Sequence, residues 1–203
     1  ATASGFTFGV LSAMDETPED IGDRGDAIAS ENKLFTIART TYGLGGSNYV
    51  GAIATDTEHA GRHNRVAGGD VSWKFRRVNS VSATYLYSET GLKTSPEMRG
   101  SASQVTYNFD TRRLNVISQL ENYDRDFQMD TAFYNRTGFT AGWSFADLSF
   151  YPPQGNRFGI IRWHPFFWTK YGNDRTQGGH ERFVLTGVRF NFTRQGFLNV
   201  DYA

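Results

Sequence analysis

The sequence predicts an all-β fold: an up-and-down antiparallel meander forming a transmembrane β-barrel. Three observations carry this. Residues alternate apolar and polar with period 2 in run after run, and turn residues separate the runs. Aromatics make up 15% of the 203 residues, yet hydrophobic residues total only 38%. A wall with one greasy and one wet face has that composition. No stretch approaches the roughly 18 apolar residues of a membrane helix, whereas a barrel strand needs only about 9–11 residues, alternate ones apolar.

The runs follow in chain order. Ala67, Gly69, Val71, Trp73 and Phe75 oppose Asp70, Ser72 and Lys74. Val81, Ala83, Tyr85 and Tyr87 oppose Ser80, Ser82, Thr84 and Ser88. Ser101, Ser103, Val105, Tyr107 and Phe109 oppose Ala102, Gln104, Thr106 and Asn108, and Leu114, Val116 and Leu120 oppose Asn115, Gln119 and Glu121. Phe139, Ala141, Trp143 and Phe145 oppose Thr140, Gly142 and Ser144. Val184, Val188, Phe190 and Phe192 oppose Arg189 and Asn191, and Leu198, Val200 and Tyr202 oppose Asn199 and Asp201.

Strands are expected near 4–14, 33–43, 48–57, 64–75, 79–89, 100–109, 113–123, 137–150, 157–170, 181–193 and 196–202. Tight turns near 44–47, 76–78 and 110–112 alternate with longer polar loops near 15–32, 58–63, 90–99, 124–136 and 171–180, the habit of outer-membrane barrels. Residues 1–203 read as a single β-barrel domain or a fragment of one. The eleven runs are an odd count, whereas single-chain bacterial barrels have even numbers, so the chain reads as about 10–11 strands of a larger barrel. The strand-like start at Ala1–Phe6 and the end at Asp201–Ala203 are read as a mature form or internal piece, part of a larger barrel completed by other segments or chains.

The aromatics at run ends form the expected lipid-facing girdle, where amphipathic rings sit at the headgroups: Trp73, Phe75, Tyr85, Tyr87, Tyr107, Phe109, Trp143, Phe145, Phe190 and Phe192. Mid-strand charges on a lipid face cost about 2–4 kcal/mol for Arg or Lys near the midplane. Arg39, Asp70, Lys74, Glu121, Arg162 and Arg189 are therefore assigned to the lumen, as pore lining or as a space-filling ion-pair network. Phe166 and Trp168, beside Arg162, stack on sugar rings if they face inward; a one-residue slip would turn them to lipid.

Composition excludes other classes. The 21 Lys and Arg balance 21 Asp and Glu, which argues against a nucleic-acid partner. Absence of cysteine removes disulfides, thiolate metal sites and cysteine nucleophiles. No G-x-S-x-G, Walker or H-E-x-x-H motif occurs, so no enzymatic activity and no cofactor are expected. The segment 15–26 is rich in carboxylates, and Asp15, Glu19, Asp20 and Asp23 are its only candidate metal ligands. Its spacing is not that of a calcium loop, so it reads as an acidic outer loop bridged through divalent ions to lipopolysaccharide. His59 and His63 are read as loop residues, because Gly61 between them makes helical spacing irrelevant.

A family resemblance extends this reading. Phe35-Thr36-Ile37-Ala38-Arg39, Asn48-Tyr49-Val50-Gly51-Ala52-Ile53 and Asn64-Arg65-Val66-Ala67-Gly68-Gly69-Asp70 resemble the barrel of certain Gram-negative surface proteins. So do Asn122-Tyr123-Asp124-Arg125-Asp126-Phe127 and Phe133-Tyr134-Asn135-Arg136-Thr137. In that family a carbohydrate-binding-module-family-9-like domain precedes a large C-terminal domain of unknown function. The resemblance spans about two thirds of the chain and lacks the carbohydrate-binding part. It implies a bacterial outer-membrane location and a non-catalytic pore or anchor for a saccharide-related surface or uptake system, with outer-membrane lipid and lipopolysaccharide as partners. The competing expectation is a soluble β-sandwich or barrel that binds a carbohydrate or lipid through a buried aromatic face.

Overall fold

The computed structural model describes residues 2–3, 5–16, 32–92, 95–132 and 136–203. Their strands are β1 (Thr2–Ala3), β2 (Phe6–Asp15), β3 (Lys33–Gly45), β4 (Asn48–His59), β5 (Arg62–Phe75) and β6 (Asn79–Leu92), then β7 (Ser95–Asp110), β8 (Leu114–Tyr123), β9 (Phe139–Leu148), β10 (Ile160–Asp174), β11 (Gly179–Phe192) and β12 (Phe197–Tyr202). They form one 12-stranded sheet in strict chain order. Every adjacent pair is antiparallel. The expected meander is therefore present, with the two-residue β1 as an additional strand.

Among the described residues no contact joins β12 to β1 or β2. Among the described residues the sheet therefore has two edges without a partner strand, one at β1 and the part of β2 that β1 leaves unpaired, the other at β12, and every residue of β2 and β12 is exposed. Among the described residues no second sheet covers either face, so the face of Val81, Ala83, Tyr85 and Tyr87 is not the inside of a sandwich there; Tyr85 is 54% exposed.

Several expected loops are shorter than the polar sequence implied. Residues 58–63 are a tight hairpin in which Ala60 and Gly61 both have positive φ, the requirement of a type I′ turn. His59 and His63 thus belong to strands. Residues 90–99 are mostly strand, with β6 running to Leu92 and β7 starting at Ser95, and 171–180 narrows to a connection between Asp174 and Gly179. Glu89, Thr90 and Ser95 at the strand tips pair in the ladder, although their polar composition is that of a loop. The segment 124–138 is long, as expected. So is 149–159, at the opposite end, where the sequence reading left only the shorter connection 151–156 between strands. Of the acidic segment, Asp15 ends β2 opposite Lys33, whereas Glu19, Asp20 and Asp23 lie outside the described residues.

The buried core is small: Val66, Leu86, Ala102 and Phe127, with Ile53, Tyr123 and Met129 against it. It lies where segment 124–132 folds over one face of β5–β7.

Candidate functional site

Directly opposed residues share a face, so the ladder registers sort every side chain. One face carries Arg39, Ile53, Asp70, Lys74, Thr84, Gln104, Gln119, Glu121, Arg162 and Arg189. All the lumen candidates therefore fall together. The other carries Trp73, Phe75, Tyr85, Tyr87, Tyr107, Phe109, Phe190 and Phe192.

Trp143 and Phe145 are the correction. Trp143 opposes Gln119 and Lys170, and Phe145 opposes Ile117 and Trp168, which puts both on the polar face. The apolar-face positions of β9 are Thr140, Gly142, Ser144 and Ala146, with Leu148 at the strand's end. Alternation within one strand says which residues share a side, but only pairing says which side that is. In β9 the large residues turn to the polar face, and Leu120 leans over Gly142, where a Cβ would come 2.7 Å from its Cδ2.

The apolar face has a charge-free band. On β5 it runs from Ala67 to Phe75, about 27 Å along the strand and about 20 Å deep at ordinary barrel tilt. Large side chains stand in it without protein cover: Leu120 is 67% exposed, and Val105, Val184 and Phe167 are likewise open. Tyr42, Trp73, Phe75, Tyr107, Phe109 and Phe190 mark its end at the 76–78 turn. Tyr85, Tyr87 and Tyr171 lie toward the other end, below a charged collar. There Arg65 pairs with Asp56 (3.2 Å) and Glu58 (3.0 Å), and Arg99 with Glu89 (3.0 Å) and Glu97 (2.7 Å). His63, Glu89 and Glu97 bring ligand atoms within 4.8 Å of one another, but Arg99 already compensates both carboxylates.

The polar face is wired by ion pairs. Arg39 Nη2 lies 2.8 Å from Asp70 Oδ1, and Gly51 leaves the room: a Cβ there would sit 2.7 Å from that oxygen. Lys170 pairs with Glu181 at 3.0 Å, and Arg136 bridges Glu181 and Asp174. Gln104, Thr106 and Gln119 hydrogen-bond across β7 and β8. Asp147 accepts from Arg162 at 3.3 Å, with His164 Nδ1 3.6 Å away.

Segment 124–132 lies on this face as a strap. Phe127 is 1% exposed and packs into the core. Asn64 donates to Thr90 Oγ1 (2.8 Å) and to the Gln128 carbonyl (3.0 Å), and accepts from the Asp130 backbone N–H (2.9 Å). Gln128 N–H donates to Ser88 Oγ at 3.1 Å, and Arg62 clasps Asp130 through two contacts. The sequence reading missed this anchor. Its signals are Phe127 and Met129 inside a mostly polar segment and Gly100 beneath them: a Cβ at Gly100 would meet Phe127 N at 2.3 Å.

Asp124 begins the strap. The Ser101 hydroxyl and N–H both donate to its Oδ2, at 2.6 and 2.9 Å. Chiefly the Ser101 hydroxyl bond, with help from the Ser101 N–H and Asn122, holds its carboxyl below the usual range. A depressed carboxylate stabilises the folded state fully above its unfolded pKa, and the contribution fades as pH falls through the folded value. Amide hydrogen exchange across 125–132 should therefore stay slow at neutral pH and accelerate only below the ordinary carboxylate range. Asp124→Asn should show the fast pattern already at pH 7.

No family model, curated protein or solved structure matches this chain.

Proposed function

We propose that this chain is an outer-membrane β-barrel wall, non-catalytic, serving as a pore or membrane anchor in a saccharide-related surface or uptake system. The observation that carries the reading is the segregation of the two faces: an unbroken charge-free band on one, ion pairs and amides on the other. A bilayer core rejects charge and unpaired backbone, and this division suits a strand wall between lipid and water. The charged collar above Tyr85 and Tyr87 suits the headgroup level and contact with lipopolysaccharide. The saccharide association and the bacterial outer-membrane location rest on the sequence resemblance. In lipid the edge at β1 and β2 and the edge at β12 need partners, because exposed backbone groups cost several kcal/mol each there. Pairing with each other, with further strands or with other chains would supply them.

The test is electrophoretic migration of the full chain from detergent micelles, heated and unheated. A folded barrel migrates anomalously until boiled; identical migration, or a soluble monomer without detergent, overturns the reading. Planar-bilayer recording then separates pore from anchor: stepwise conductance supports the pore, a silent folded protein the anchor.

A further inference from the structure

We propose that the polar face of β9–β11 is a binding strip for a neutral pyranose oligosaccharide. The proposal rests on the wet-face reading above and names what that face takes.

Rings of a kind rare on a wet surface gather there. Phe145 and Phe166 stack with centroids 6.2 Å apart, and Trp168 meets Phe183 edge-on at 4.9 Å. Trp143, two residues from Phe145 on the same face, extends the row. Trp168 is still 37% exposed. Large aromatic surface left in water is unfavourable unless something covers it.

On the same face beside the rings stand side-chain amides. Gln119 directly opposes Trp143. Its Oε1 accepts from Gln104 Nε2 and from the Thr106 hydroxyl, both at 3.3 Å. Side-chain amides donate and accept, and so take partners that do the same. A hydroxyl donates and accepts at once. A pyranose offers a ring-sized face of C–H groups for the aromatics and a rim of such hydroxyls for the polar atoms.

Charge selects among ligands. Arg162 and Arg189 are matched by Asp147 and by Asp201, which opposes Gly187 beside Phe166. Lys170 is matched by Glu181. With no cationic excess, a neutral sugar fits better than a sulfated or uronic one. An alkyl chain would cover the rings and leave the amides unused; a free anion would leave the rings bare.

The test is isothermal titration calorimetry on the full chain in detergent, with maltohexaose, cellohexaose and xylohexaose as neutral probes and a galacturonate hexamer and sodium sulfate as charged ones. At least one neutral probe should bind saturably. Trp168→Ala and Phe166→Ala should each weaken it at least tenfold, Trp168→Phe much less, and Trp73→Phe, on the opposite face, not at all. Binding confined to the charged probes, undiminished binding in Trp168→Ala, or no saturable heat from any neutral probe overturns the proposal. The heated-gel shift is read on the same samples. A sample that shifts but binds nothing overturns the strip and leaves the barrel; one that binds without shifting overturns the barrel and leaves the strip.

Discussion

Leu120→Arg should destabilise the chain in a bilayer by about 2–4 kcal/mol, while its neighbour Gln119→Arg should be far milder. Leu120 is 67% exposed within the charge-free band, opposite Gly142, with Val105 on its other side. In lipid an arginine there has no hydrogen-bond partner and must reach toward the headgroups. Gln119 lies on the polar face among Gln104, Thr106 and Glu121, where a guanidinium finds acceptors. Urea titration in phosphatidylcholine vesicles, read by tryptophan emission, measures both. The contrast is diagnostic because the residues are adjacent and share a strand. On a soluble protein Leu120→Arg would be an ordinary surface change, within about 0.5 kcal/mol, and that outcome would count against the membrane reading.

The second large effect concerns the strap. Phe127→Ala should cost about 3–5 kcal/mol of docking free energy, the usual range for deleting a buried phenylalanine. The ring fills the only sizeable core among the described residues, between Val66, Leu86 and Ala102. Gly100→Val should reach the same end from the other side, since its side chain would occupy the position of the Phe127 backbone. Both variants should speed amide exchange across 125–132 and leave the β9–β11 ladder protected. If the chain conducts, both should also raise unitary conductance, because the strap covers part of the polar face. Unchanged exchange in both variants would mean that Asn64 and Arg62 alone hold the strap.

The meander was legible because period 2 is a local property, written into each run independently. The grouping of Arg39, Asp70, Lys74, Glu121, Arg162 and Arg189 was legible from charge: each is a mid-strand charge, which period-2 runs with one greasy face place on the other. The side taken by Trp143 and Phe145 was not, since it depends on pairing with β8 and β10. Strand ends rich in Thr, Glu and Gly resembled loops because composition does not record ladder bonds. The strap's docking was hidden because Asn64, Thr90 and Gln128 meet only in three dimensions.

Strict nearest-neighbour pairing also makes the wall accumulate register along the chain. Each strand takes its alignment from the one before, and no long-range pairing among the described residues checks the sum. The two left-handed positions at Ala60 and Gly61 therefore govern more than one hairpin. One residue added at that turn need not break a ladder bond. If the slip is propagated rather than absorbed by a bulge, every strand from β5 onward exchanges its faces relative to β1–β4, turning Asp70 and Arg162 to the side of Tyr42 and Val50. The turns act as a cumulative code for sidedness, and the earliest carry the most of it.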